Sequence, residues 1–164
     1  MSKFEVYKTG NSFFSNKKEA VALFEQRKLG ELKNGKVMYS LFEVLYLLDE
    51  KKIDVIMGKI GAGFDDLIKK DIKKKYVVFR DLRDKGYVLK EGLKFGVDFR
   101  VYEKDTYREG HAKYLLHIVD SPKMDLRDFS AKSRVSHSTN KKLLLAVVDS
   151  EEDITYFEVD WKKI

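Results

Sequence analysis

The chain has 164 residues, with 33 lysines and arginines against 27 aspartates and glutamates, a formal charge of +6 and 43% hydrophobic residues, a composition that excludes disordered and collagen-like classes. Cysteine is absent, which removes disulfides, thiolate metal sites and cysteine nucleophiles. The longest apolar run, Leu143 to Val148, is far shorter than the roughly 18 residues of a membrane-spanning helix, and MSKFEVYKTGN has no secretory stretch, so a cytoplasmic protein without membrane association is expected.

In chain order, Phe4, Val6 and Tyr7 predict a short strand ending in a turn at Gly10-Asn11-Ser12. Asn16 with Glu19 three residues later predicts a capped helix through Leu23 and Phe24, ended by Gly30 or Gly35. Ser40 and Glu43 form a second capping box, followed by Leu41, Val44, Leu45 and Leu48 on one helical face. A strand is expected at Ile53 to Met57; the glycines after it do not form GxGxxG, so no phosphate-cradling loop is expected. From Phe64, the positions Leu67, Ile68, Ile72, Tyr76, Phe79 and Leu82 predict one long helix stopped by Gly86, with acidic residues early and basic ones late, as the helix dipole favours. Strands follow at Tyr87–Leu89, Phe99–Tyr102, Lys113–Val119, Lys142–Val148 and Ile154–Val159. Ser121-Pro122 breaks the third of these, and Asp125 caps a helix carrying Leu126, Phe129 and Val135. The unbroken apolar run Leu143–Val148 predicts a strand buried on both faces. The expected fold is α/β (α+β): a small mixed α/β N-terminal domain over 1–70 and a strand-rich α/β C-terminal domain with a central mixed sheet over 71–164.

The three histidines show no zinc-ligand spacing, so no metal site and no cofactor are expected. Asp160-Trp161-Lys162 has the carboxylate-x-lysine form of metal-dependent nucleases, a form that arises readily in a chain with 37% charged residues. No serine lies in a GxSxG elbow. The positive charge permits a polyanionic partner without identifying one.

Three stretches carry more information: KYVVFRDLRDKGYVLKEGLKFGVDFRVYE, GHAKYLLHIV and SRVSHSTNKKLLLAVVDSEEDITYFEV. In order and spacing they closely resemble the archaeal tRNA-splicing endonucleases, and YSLFEVLYLL extends a weaker likeness into the N-terminal part. The resemblance implies an enzyme that removes introns from precursor tRNA at a bulge-helix-bulge, without metal, leaving a 2′,3′-cyclic phosphate and a 5′-hydroxyl. It also implies a catalytic set of Tyr102, closing FRVYE, His111 of GHAKY and Lys141, the first lysine of HSTNKKLLL. Lys142 is the neighbour that a one-residue slip would substitute, and Lys141 is preferred because the apolar strand begins after it.

Cleavage by the neighbouring 2′-hydroxyl needs a base, an acid for the leaving 5′-oxygen and a cation for the phosphorane. An imidazole, with an ordinary pKa of about 6.5, suits the acid. A phenol titrates near about 10 and serves as a base only beside positive charge, which Lys141 is expected to supply while holding non-bridging oxygens. His117 and His137 are expected to be structural, His137 with a supporting place near Lys141. The resemblance further implies that Arg134 stacks on a bulged base; the family's second clamping cation has no evident match in this sequence, and Tyr156 or Trp161 is the candidate to stack in its place. It implies too that the acidic turn, with Asp149, Glu151 and Asp153, enters a neighbouring subunit's basic cleft. A homotetramer is expected, with a hetero-oligomer containing a paralogous subunit as the alternative. A non-catalytic structural subunit is the competing function.

Overall fold

A computed structural model of the chain describes residues 2–107, 110–121, 123–162 and 164, and Pro122 lies outside the described residues. The chain divides into two compact units, 1–73 and 74–164. Among the described residues, no helix is long and apolar enough to cross a membrane.

The first unit is built on a six-stranded mixed sheet. Strands β1 (Phe4–Thr9) and β2 (Ser12–Ser15) form a hairpin about Gly10 at φ +59°. Helix α1 (Lys18–Arg27) follows, then β3 (Glu31–Lys33), β4 (Lys36–Tyr39), α2 (Leu41–Asp49), β5 (Ile53–Met57) and β6 (Ile60–Ala62). The sheet order is β3-β4-β2-β1-β5-β6, and β1 runs parallel to β5 across α2, the crossover that a parallel pair requires. Val6, Phe4, Ile53 and Val55 on the paired strands are buried with Val44, Leu45 and Leu47 of α2.

The second capping box forms as the sequence predicts. Ser40 Oγ accepts the Glu43 N–H at 3.2 Å, and the Glu43 carboxylate accepts the Ser40 N–H at 2.9 Å. Glu43 is only 3% exposed because its other oxygen accepts the Gly30 N–H at 2.9 Å, which ties the entry of β3 to the start of α2.

The first box does not form. The N-cap of α1 is Lys17, without a side-chain cap bond, and Asn16 stands outside the helix. Ser15 Oγ instead accepts the Lys17 N–H at 3.3 Å and donates to the Glu5 carbonyl at 2.7 Å, and α1 begins one residue later than the box would need. The helix predicted from Phe64 is two: α3 (Phe64–Leu67) and α4 (Lys70–Asp84). Ile68 at ψ 121° is extended and breaks the hydrogen-bond ladder between them.

The second unit holds a five-stranded mixed sheet, ordered β11-β10-β9-β8-β7. Its strands are β7 (Val88–Glu91), β8 (Phe99–Tyr102), β9 (Tyr114–Val119), β10 (Lys142–Val148) and β11 (Ile154–Val159). All neighbours are antiparallel except β9 and β10, joined through α5 (Leu126–Ser138), which packs along β10. Asp125 caps α5 by accepting the Arg127 and Asp128 N–H groups at 2.7 and 3.2 Å. On the α4 side of the sheet, Phe79 meets Phe99 at a centroid distance of 5.6 Å. Leu82, Val101, Tyr114, Leu144 and Tyr156 line a pocket of about 210 Å³ on that side. β10 is interior but not dry on both faces: Leu143, Leu144, Ala146 and Val148 are buried, Leu145 is half-buried and Val147 is exposed. Leu126, at the first turn of α5, is 78% exposed.

Candidate active site

Tyr102 ends β8. Its row is extended by the Lys113 N–H, which donates to the Val101 carbonyl at 2.8 Å, and the Lys142 N–H donates in turn to the Lys113 carbonyl at 3.1 Å. One step beyond the pairs Val101↔Tyr114 and Tyr114↔Lys142, Tyr102, Lys113 and Lys141 therefore stand side by side at one end of the sheet. Adjacent strands lie about 4.8 Å apart, so the backbones at Tyr102 and Lys141 are about 10 Å apart. His111 precedes Lys113 by two residues, at the same end.

The three side chains have different surroundings. The Tyr102 ring is 4% exposed, packs with Val88 and Ala112, and meets Tyr107 edge-on at a centroid distance of 5.2 Å. The Arg100 guanidinium carbon lies 5.8 Å from its centroid. His111 is exposed and makes no hydrogen bond or ion pair with any other described residue. Gly110, at φ +76°, takes the left-handed conformation just before it, which a side chain would resist.

Lys141 is delivered by the end of α5. Asn140, at φ +56°, donates to the His137 carbonyl at 3.0 Å while the Lys141 N–H donates to the Ser136 carbonyl at 2.8 Å, the two bonds of a Schellman closure. Asparagine is the non-glycine residue best suited to that left-handed position. The Lys141 ammonium donates to the Thr139 carbonyl at 2.8 Å and sits 5.8 Å from the Phe95 ring. Its neighbour Lys142 is exposed and paired with Glu158 across β11.

Arg134 is exposed on α5, one turn before His137. The His137 ring lies 4.4 Å from that of Trp161, which is 39% exposed, so Trp161 stands beside the part of α5 that carries Arg134. Tyr156 is engaged elsewhere: its hydroxyl donates to Asp81 at 2.7 Å, and Lys85 lies 5.3 Å from its ring. Burial first and the Asp81 carboxylate second push its phenol far above the ordinary range.

His117 belongs to a charged cluster. Asp98 bonds His117 Nδ1 at 3.1 Å, accepts the Ile118 N–H at 2.8 Å and pairs with Lys75 at 2.7 Å. Burial opposes ionisation of Asp98, but these three partners outweigh it and bring its pKa down to about 2.

The acidic turn joins β10 to β11 at the opposite end of the sheet from Tyr102 and Lys141. Asp149 Oδ1 accepts the Glu151 and Asp153 N–H groups at 2.8 and 2.9 Å, while Glu151 and Asp153 are exposed. Asp160-Trp161-Lys162 is exposed, and no group of three or more metal-ligating side chains is gathered among the described residues.

Sequence reasoning missed Arg100, Phe95 and Tyr107 beside these positions. Only Arg100 had a readable signal, since a residue two before Tyr102 on a strand shares its face.

A sequence model of the tRNA intron endonuclease N-terminal domain matches residues 7–68, and one of the family's catalytic C-terminal domain matches residues 72–156. The tRNA-splicing endonuclease of Pyrococcus furiosus is 38% identical, with 97% of this chain and 96% of that protein covered. That of Pyrococcus horikoshii is 36% identical with the same coverage, and that of Methanothermobacter thermautotrophicus is 36% identical over 80% of this chain and 81% of its own. With both domain models matched in order and relatives similar along nearly the whole chain, the protein belongs to the tRNA intron endonuclease family of tRNA-splicing endonucleases.

Proposed function

We propose that the chain is a catalytic subunit that cuts precursor tRNA at bulge-helix-bulge junctions without a metal ion, leaving a 2′,3′-cyclic phosphate and a 5′-hydroxyl. The observation that carries this reading is the convergence of the end of β8, the segment leading into β9 and the residue before β10, which brings Tyr102, His111 and Lys141 to one end of one sheet. Tyr102 takes the proton of the attacking 2′-hydroxyl, the new bond forms at phosphorus, and the bond to the 5′-oxygen breaks. His111 gives that oxygen its proton, a service worth roughly 10²–10⁴ in rate. Lys141 neutralises charge on the non-bridging oxygens. The exposure of His111 and the absence of any described partner suit a group waiting for substrate. The pairing of Lys142 with Glu158 supports Lys141 as the phosphate cation.

Arg134 stacks on a bulged base, and Trp161 is the better counterpart than Tyr156, whose hydroxyl is committed to Asp81. Two cut sites in one substrate require two active sites at a fixed separation, which a homotetramer supplies through its acidic turns; a heterotetramer with a paralogous partner is the alternative.

One observation favours a second reading. Tyr102 is nearly buried beneath Tyr107, as a strand-end residue of a non-catalytic structural subunit would be. A single assay decides: the purified chain with bulge-helix-bulge RNA in excess chelator. Cleavage to cyclic phosphate is expected, and His111→Ala should slow it by roughly 10² or more. A substrate with sulfur as the leaving atom, needing little protonation, should restore that variant selectively. Activity that disappears in chelator and returns with magnesium overturns metal independence, and an intact RNA under all conditions favours the structural subunit.

A further inference from the structure

The base assigned to Tyr102 needs a positive charge close to its ring. The Lys141 ammonium is held by the Thr139 carbonyl beside Phe95. A cation that stands against the Tyr102 ring is Arg100, two residues earlier on β8 and therefore on the same face of the sheet. Its guanidinium carbon is 5.8 Å from the ring centroid. Nε donates to the Glu91 carbonyl at 3.0 Å, which fixes the plane of the group from the neighbouring strand. The two terminal nitrogens make no hydrogen bond to any other described residue, so the charge is not consumed by a carboxylate. Directly across β7, Lys90 faces Arg100 in register and places its ammonium 5.8 Å from the ring of Tyr107, the residue packed edge-on against Tyr102. Among the described residues, the other charged groups near this end of the sheet include Glu103, which is paired with Lys113 at the entry to β9, Lys104 and Asp105 in the turn after β8, and His111 and Lys141.

We infer that Arg100 is a positioning residue for Tyr102: it holds a permanent positive charge against the ring and thereby stabilises the phenolate that removes the 2′-hydroxyl proton. A guanidinium stays charged at every pH at which the enzyme could work. Its attraction to a neutral phenol is the modest one of a cation near a π face, whereas its attraction to a phenolate is that of opposite charges. The difference between the two favours loss of the proton. Because the site is half-buried and Nε is anchored, little reorganisation is required when the charge on the ring changes.

The inference rests on Tyr102 being the base, and the test separates the two. Tyrosine labelled with 13C at Cζ is titrated by NMR in the wild type, Arg100→Lys and Arg100→Gln, with Tyr102→Phe assigning the signal. In parallel, single-turnover cleavage of bulge-helix-bulge RNA is measured against pH at saturating protein. Arg100→Gln should raise the titration midpoint of Tyr102 by about one unit or more. The basic limb of the rate profile should move up by the same amount, making cleavage about tenfold slower near neutrality and nearly normal at high pH. Arg100→Lys should keep most of the wild-type behaviour. An unchanged Tyr102 midpoint in Arg100→Gln overturns the inference whether or not the chain is active. So does a slowing by one constant factor at every pH, which marks a structural role. If Tyr102→Phe cleaves like the wild type, the base assignment falls, while the NMR midpoint still reports whether Arg100 controls that phenol.

Discussion

Asp98 offers a test of the electrostatics that hold the second unit together. Its side chain is only 11% exposed, and the Lys75 ammonium, His117 Nδ1 and the Ile118 N–H converge on its two oxygens. Burial raises the cost of its charge, yet the three partners bring the pKa from 3.8 to about 2. A carboxyl whose folded-state pKa is depressed contributes stability above its unfolded value and loses it as pH falls through the folded one. The window is thus from about pH 5 down to about pH 1. At about 1.4 kcal/mol per pKa unit, the drop from 3.8 to about 2 corresponds to about 2 kcal/mol. Asp98→Asn removes this pH dependence and also strips one strong acceptor from Lys75 and His117, which adds a cost at neutral pH of about 2 kcal/mol or more. Urea unfolding by far-UV circular dichroism, with hydrogen exchange of the Ile118 amide as the local probe, measures both. The wild type should lose stability steeply between pH 5 and pH 2 while the variant stays nearly flat there. Parallel pH curves for the two proteins would refute the argument.

Ser40→Ala should destabilise the first unit by about 1 kcal/mol, and Glu43→Ala by more, because it takes the carboxylate acceptor from both the Ser40 and the Gly30 N–H groups in a buried site; thermal melts give the ranking, and the reverse order would contradict it. Arg134→Ala and Trp161→Ala should each lower the preference for bulged over plain duplex RNA by about 1–3 kcal/mol in competition binding, and Tyr156→Phe should leave that preference unchanged. A loss of preference with Tyr156→Phe would move the second stacking position away from Trp161.

The contrast between what could and could not be read from the chain follows the range of the interactions. Ser40 and Glu43 are three residues apart and bond each other, so the box was visible without any tertiary information. Asn16 and Glu19 have the same spacing, but Ser15 bonds the Glu5 carbonyl from across the hairpin, and that long-range contact decides where α1 begins. The strands from β8 onward were legible because their apolar patterns are strong. β2, β3, β4 and β6 were overlooked: each has four residues or fewer and adjoins turn residues, without the strong flanking pattern that marks the equally short β7 and β8. Asn34-Gly35, with both φ angles positive at 50° and 75°, is nonetheless the tight hairpin turn such a pair favours. The site shows the same division. Tyr102, His111 and Lys141 lie at or just before separate strands, and no periodicity links them; only the resemblance of whole motifs singled them out. Arg100 shares a strand with Tyr102, but what makes it interesting is its anchor on Glu91 of β7, a partner that pairs with β8 only in the folded sheet.

The acidic turn shows how the structure sharpens a prediction already visible in the sequence. Reversing Asp149, Glu151 and Asp153 together would be a poor test of assembly, because Asp149 accepts two backbone N–H groups and builds the turn itself. Glu151 and Asp153 are exposed, and their carboxylates bond no described residue, so changing them leaves the turn its organiser. Glu151→Lys with Asp153→Lys therefore isolates the charge. If these groups enter a basic cleft of another copy, two attractions become repulsions, a penalty of several kcal/mol. At about 1.4 kcal/mol for each tenfold change, even about 3 kcal/mol weakens association roughly a hundredfold. Sedimentation and scattering should then show a lower mass for the double variant, and lower cleavage should accompany it. Far-UV circular dichroism should stay unchanged. The wild-type assembly should also loosen with added salt, and the variant should respond less, since its cleft contact is already lost. A double variant with the parental mass and activity would mean that the acidic residues only decorate a solvated turn.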